Sequence, residues 1–203
     1  MKILIQPNTT RAELGAIVCN ALASVLGDSP VLVGGAAASI YSKGRYKSED
    51  LDIVSYRTQK ITPLMRSLGF VAKGAHWHHP DTDLTIQFVS PPTMIGNKHV
   101  RKPPRMRTKA GNFSIISAVD SACDRLSWYL NGDKQGLKQC ADIVLAQRIP
   151  LSRIRTWLQK EPYSKEQQET ALKELRRVVK NLRGGRKRLR RKQKYRTHSR
   201  RNP

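Results

Sequence analysis

Apolar residues recur at helical spacing over residues 11–26, where Leu14, Ile17, Val18, Ala21, Leu22 and Val25 form one stripe. Thr9 or Thr10 offers a cap at its start, and Gly27-Asp28 a stop. The period then changes. Val31-Leu32-Val33 is a short apolar run of the buried-strand type, Gly34-Gly35 follows at once, and Ala36 to Tyr41 reads as a helix ending near Gly44. Leu51 to Val54 reads as a second strand, residues 61–68 as a short helix closed by Gly69, and Val71-Ala72 as a strand edge. From Asp83 to Val89 the alternation is clean: Leu84, Ile86 and Phe88 share one face, Asp83, Thr85 and Gln87 the other. Pro91-Pro92 ends that strand.

Residues 97–112 read as a loop: Lys98, Arg101, Lys102, Arg105, Arg107 and Lys109 occur with no acid, around Pro103-Pro104. From 117 the pattern is helical, with Val119, Ala122, Cys123, Leu126, Tyr129 and Leu130 in one stripe. Further helices are predicted over 135–147, 151–160 and 165–182, the last stopped by Gly184-Gly185. Trp128 and Trp157 fit the apolar stripes and are expected in the core. The layout is an α/β core over 1–112, a helical region over 113–162, and a basic helix and tail over 163–203.

Charge changes this picture at one end. The 203 residues contain 38 Lys+Arg and 15 Asp+Glu, a formal +23. Residues 172–203 hold 15 of those bases and the single acid Glu174, so they carry +14 and the rest of the chain +9. A uniformly basic coat is thereby excluded, and a polyanionic partner, most simply nucleic acid, is expected. Arg186, Lys187, Arg188, Arg190, Arg191, Lys192, Lys194 and Arg196 are its densest part, interleaved with Tyr195 and His198. With hardly any apolar side chain, 186–203 is expected to be disordered without a partner. No run reaches the ~18 apolar residues of a membrane span, so a soluble, cytoplasmic protein with no membrane partner is expected. Cys19, Cys123 and Cys140 form no CxxC pair and read as small buried hydrophobes. His76, His78 and His79 with Asp81 and Asp83 fit no standard zinc spacing and read as a solvated hairpin.

The candidate chemistry lies between the first two strands. On a strand, Asp50 and Asp52 project from one face. Two carboxylates that close repel unless a cation sits between them, and Mg²⁺ prefers such oxygen ligands, with substrate phosphate completing its shell. Gly34-Gly35 at a strand–helix junction lets phosphate approach backbone N–H groups. Ser39 on the following helix offers a hydroxyl, and Arg45 and Lys47 offer positive charge to phosphates.

The run VLVGGAAASIYSKGRYKSEDLDIV resembles the core motif of the nucleotidyltransferase superfamily: an apolar strand, Gly-Gly, a spacer, then Asp-x-Asp opening the next strand. The closer likeness is to small bacterial nucleotidyltransferase proteins of the abortive-infection, type IV toxin–antitoxin kind, through Gly44-Arg45 and Ser48, then residues 67–70, 78–92 and 118–144. It implies a small mixed sheet with flanking helices and a helical region, an NTP substrate, Mg²⁺, an RNA acceptor such as tRNA, and an antitoxin or other protein partner. It implies nucleotide contacts at Gly34, Gly35, Ser39, Arg45 and Ser48, metal at Asp50 and Asp52, and cleft positions at Arg125 and Asp133. One residue departs from the pattern. Relatives carry a third carboxylate where Gln87 stands, and a neutral amide is a weaker ligand; Asp83 shares its face, but ~13 Å along the strand. Three readings follow: an active transferase, a nucleic-acid-binding or ribonucleoprotein component that kept the fold without the chemistry, or a toxin–antitoxin component whose partner is a protein.

Overall fold

The structure, a computed structural model, describes residues 5–27, 29–56 and 58–198, with side chains through residue 184. Helix α1 (Arg11–Leu26) starts at Thr10, whose hydroxyl accepts from the Glu13 N–H while the Glu13 carboxylate accepts from the Thr10 N–H. This reciprocal cap satisfies two otherwise orphan donors. The helix ends on Gly27 in the left-handed region at φ 67°.

Strand β1 (Val31–Val33) leads into α2 (Gly34–Tyr41), and β2 (Asp50–Val54) follows. Then come α3 (Ile61–Ser67), β3 (Val71–Lys73), β4 (His76–His79), β5 (Thr82–Val89), β6 (Met94–Ile95), β7 (Lys98–His99), β8 (Arg105–Thr108) and β9 (Gly111–Ile115). Seven strands form one mixed sheet in the order β3-β4-β5-β2-β1-β9-β8, and β6 pairs with β7 alone. β1 runs antiparallel to β2 and parallel to β9, and β2 runs parallel to β5.

Residues 97–112 are therefore only partly a loop: β7, β8 and the start of β9 interrupt it, while 100–104 are irregular. Arg105 and Arg107 are exposed at alternate positions of an edge strand, and Met106 between them packs on the core. That is a period-two pattern whose inward position is a single methionine, too little to mark a strand in sequence. Charged residues on an edge strand also discourage pairing with another chain.

Leu32, Leu51, Ile53, Ile86, Phe113 and Ile115 are buried, and α1 packs beside β9 and β2 with Leu14, Ile17, Val18 and Leu22 inward. Gly15 permits this contact, because a Cβ there would lie 3.3 Å from Leu32 and 3.4 Å from Phe113. The helical region is α4 (Ala118–Leu130), α5 (Lys134–Gln147) and α6 (Leu151–Leu158). α4 and α5 approach closely at Gly136, where a Cβ would lie 2.3 Å from the Arg125 carbonyl.

Helix α7 (Lys165–His198) packs Ala171, Leu175 and Val179 inward and lies against α5. Its backbone does not stop at Gly184-Gly185, and 186–198, expected to be disordered, continue the helix. Each glycine costs about 1 kcal/mol in a helix interior, but the flanking turns are rich in Arg and Lys, which are good helix formers. The side chains of Arg186, Lys187, Arg188, Arg190, Arg191, Lys192, Lys194 and Arg196 lie outside the described residues. Among the described residues, no helix is long and apolar enough to cross a membrane. The three cysteines are free and buried, and burial pushes the Cys19 and Cys140 thiols up to about 12.

Candidate active site

The β1–α2–β2 unit brings four residues into contact. Gly34 opens α2 at φ 63°, and a Cβ there would stand 2.1 Å from Asp52 Oδ2. A Cβ on Gly35 would stand 2.5 Å from Ser48 Oγ. The two glycines thus make room for side chains of this chain, where the sequence pattern pointed to room for phosphate. Ser48 is buried and donates its hydroxyl to Asp50 Oδ1 at 2.8 Å. Its own carbonyl accepts from Arg11 Nε and Nη2 at 2.9 and 2.6 Å, which ties the loop ahead of β2 to the first turn of α1. Arg11 has no motif around it in sequence, and only the fold brings it to Ser48.

Asp50 and Asp52 are both partly buried, on alternate positions of β2. Burial first, and then the Asp50 charge, push the Asp52 carboxyl up to about 6. Arg125 and the Gly35 N–H act in the opposite direction, while Asp124 adds to the rise. Burial and like charge thus outweigh the positive charge of Arg125.

Register places Gln87 directly beside Asp52 on the parallel strand β5. Thr85 stands beside Asp50, and His76 of β4 is registered with Gln87. Laterally paired residues share a sheet face, so Asp52, Gln87 and His76 form one row. Asp83 lies beyond Thr85, at the Asp50 end of the site. It lines an open groove of about 610 Å³ with Asp50, Thr85, His76, His78 and Gln135. Among the described residues, no group of three or more His, Cys, Asp or Glu is arranged to hold a metal ion. With Gln at 87, the set is two carboxylates and one amide.

The other predicted positions divide. Ser39 is buried within α2. Arg45 is exposed and donates to the Ser42 carbonyl at 3.2 Å. Asp133 caps α5 by accepting from the Gln135 N–H at 2.9 Å. Lys98 is an ion-pair partner of buried Asp120, 2.5 Å away. Arg101, Lys102, Arg105 and Arg107 are exposed. The His run does form a hairpin strand, but Trp77 within it is buried and unavailable to a base.

Helix α4 brings one pairing and one correction. Asp124 and Arg125 are consecutive, a spacing that points side chains apart, yet the long Arg125 side chain turns back and both Nε and Nη2 bond to Asp124 Oδ2. The Asp124 charge acts on Asp52. Trp128 is not core but 54% exposed. It sits one turn beyond Asp124 on α4, outside the stripe of Ala122, Cys123 and Leu126 that is buried.

No family model matches the chain, and no curated protein matches it. Among solved structures, the crystal structure of an antigenic nucleotidyltransferase-like protein from Paracoccidioides brasiliensis is similar, at TM-score 0.53 and 14% identity over 87% of this chain and 92% of that one. The solution structure of the antibiotic-resistance factor ANT(2'')-Ia is similar at TM-score 0.40 and 13% identity, over 88% of this chain and 97% of that one. With its mixed sheet, its Gly-Gly junction at the start of α2 and Asp-x-Asp on β2, the chain has the nucleotidyltransferase-like fold.

Proposed function

We propose that the chain binds a nucleoside triphosphate at the edge formed by Gly34, Gly35, Asp50 and Asp52, and transfers its nucleoside monophosphate to a hydroxyl of an RNA acceptor such as tRNA, the α–β phosphoanhydride bond breaking and pyrophosphate leaving. The observation that carries this is the pair of carboxylates on β2, one of them driven up to about 6 by burial and by its neighbour. Carboxylates perturbed by burial and a like-charged neighbour cluster at functional sites.

The residues present suit Mg²⁺: two carboxylates that repel each other, with the amide oxygen of Gln87 available in the same row. Asp50 and Asp52 would hold it. When bound, the ion supplies charge neutralisation for the triphosphate and acidity for the attacking hydroxyl. The remaining work belongs to this chain. Ser48 orients Asp50 by its hydroxyl, and Arg11 anchors Ser48. The Gly35 N–H orients Asp52. Arg125 contributes positive charge behind the carboxylates while staying bonded to Asp124.

The acceptor is assigned to the exposed bases Arg101, Lys102, Arg105 and Arg107 and to the basic end of α7. Phosphate neutralisation by such groups supplies sequence-independent affinity. RNA rather than DNA, and an antitoxin as protein partner, rest on the family resemblance alone.

Gln87 favours a second reading. Its register beside Asp52 puts a neutral group where a third carboxylate is expected, so the domain binds nucleotide and RNA without transfer. Incubation with Mg²⁺, each α-labelled NTP in turn and total RNA decides between them. Transfer of label, lost in Asp50→Asn and Asp52→Asn, supports the first. Binding of both ligands with no label transferred supports the second.

A further inference from the structure

Trp128 has a rigid backing and a free side. Arg125 Cζ lies over its ring, 5.3 Å from the centroid. That guanidinium is itself buried and bonded to Asp124 and to Gln139 on α5, so it cannot swing away. The indole is nonetheless 54% exposed, whereas Trp77 and Trp157 are 9% and 6% exposed. An apolar ring of this size gains nothing by facing water, and here the cation fixes one face and leaves the rest open.

Its place relative to the site follows from the turn after α4. The Asp133 N–H donates to the Trp128 carbonyl at 3.0 Å. Two residues further on, Gln135 lines the groove that contains Asp50, His76 and His78. Lower on the same face of α4, Asp124 and Arg125 act on the charge of Asp52. Arg125 thus has two neighbours: its charge acts on the Asp52 carboxylate, and its guanidinium lies over the exposed Trp128 ring. A nucleotide presents phosphates at one end and a flat base at the other.

We propose that Trp128 is the nucleobase platform of this site, the base stacking on the indole face that Arg125 leaves open. The inference rests on the nucleotide-binding reading and adds the element that recognises the base. Stacking tolerates any base, because each has a π face. Larger purines cover more of the ring, so ATP and GTP should bind more tightly than CTP and UTP.

The test uses the full chain with Mg²⁺ and two probes, ATP and inorganic tripolyphosphate. Trp128→Ala should weaken ATP about 5- to 100-fold, the effect of removing one stacking aromatic, and leave tripolyphosphate unchanged. Trp128→Phe should recover most of the ATP affinity. ATP should quench tryptophan emission of the parent chain but not of Trp128→Phe, which keeps Trp77 and Trp157. Because Trp128 is exposed, thermal melts should show both variants folded. Equal ATP binding by Trp128→Ala and the parent chain overturns the platform and leaves the nucleotide site standing. Parallel loss of ATP and tripolyphosphate assigns Trp128 a structural role and also overturns it. A parent chain that binds neither probe removes the nucleotide reading and the platform together.

Discussion

Gly34 lies beneath the carboxylate of Asp52: a Cβ at residue 34 would stand 2.1 Å from Oδ2, on a backbone already at φ 63°. The close approach forces Asp52 to move for any side chain at residue 34, and the left-handed backbone adds strain to it. The close approach is what lets the Gly35 N–H reach Asp52 and hold its carboxyl at the start of α2. Gly34→Ala must displace Asp52 and also adopt a left-handed conformation that costs about 1–2 kcal/mol by itself. The expected loss is at least about 2 kcal/mol in urea unfolding, accompanied by loss of Mg²⁺ binding. A variant with unchanged midpoint and unchanged metal affinity would contradict the contact.

Asp52 couples the site to pH. Its carboxyl is raised to about 6 from an ordinary value of 3.8, so the fold favours the neutral acid. That stabilisation is complete below the unfolded value and is lost as pH rises through about 6. Without divalent metal, Asp52→Asn should therefore melt above the parent chain at pH 7, by on the order of 1–2 kcal/mol, and the gap should narrow at pH 5. Mg²⁺ should raise the melting temperature of the parent chain and not of the variant. Melts at two pH values, with and without MgCl₂, check all three signs.

Gln87 tests the metal edge from the other strand. Since it is registered with Asp52, Gln87→Glu adds a third carboxylate to the row. Mg²⁺ affinity should rise about tenfold, equivalent to about 1.4 kcal/mol, and any transfer activity with it. Calorimetric titration showing no gain would move the third ligand elsewhere, with Asp83 next to try because it lines the Asp50 groove.

The basic end of α7 should separate from the fold. Among the described residues, the buried side chains of α7 are Ala171, Leu175 and Val179. Deleting 184–203 removes ten Lys and Arg residues and almost no apolar surface, so unfolding free energy should hardly change. RNA affinity should fall, and the log–log salt slope should shrink by ~0.7–0.9 for each lost phosphate contact. Equal RNA binding with an equal slope would shift the acceptor surface to Arg101, Lys102, Arg105 and Arg107.

Much of the site was legible because its parts are local. Gly34-Gly35 and Asp50-x-Asp52 lie within one strand–helix–strand unit, and short-range periodicity places each of them. α1, the strand ending at Val89 and the helices of the second half were readable for the same reason: each buries a stripe with a regular period. Two errors came from reading charge as absence of structure. Arg105 and Arg107 stand on an edge strand, and the Lys- and Arg-rich run after Gly184 is helical through His198. Charge makes unpaired burial costly, but it does not prevent backbone hydrogen bonding.

Local pattern in this chain determined which residues can bear chemistry and which elements carry them. The tertiary structure decided what they meet. Pairing of β2 with β5 set Gln87 beside Asp52, and packing of α4 turned Arg125 onto Asp124 while leaving Trp128 at the surface. The anchoring of Ser48 by Arg11 was settled in the same way. Period and spacing record which face a residue takes on its own element. Register between distant strands and the direction of a long side chain depend on partners far away in sequence, so they appear only when the chain is folded.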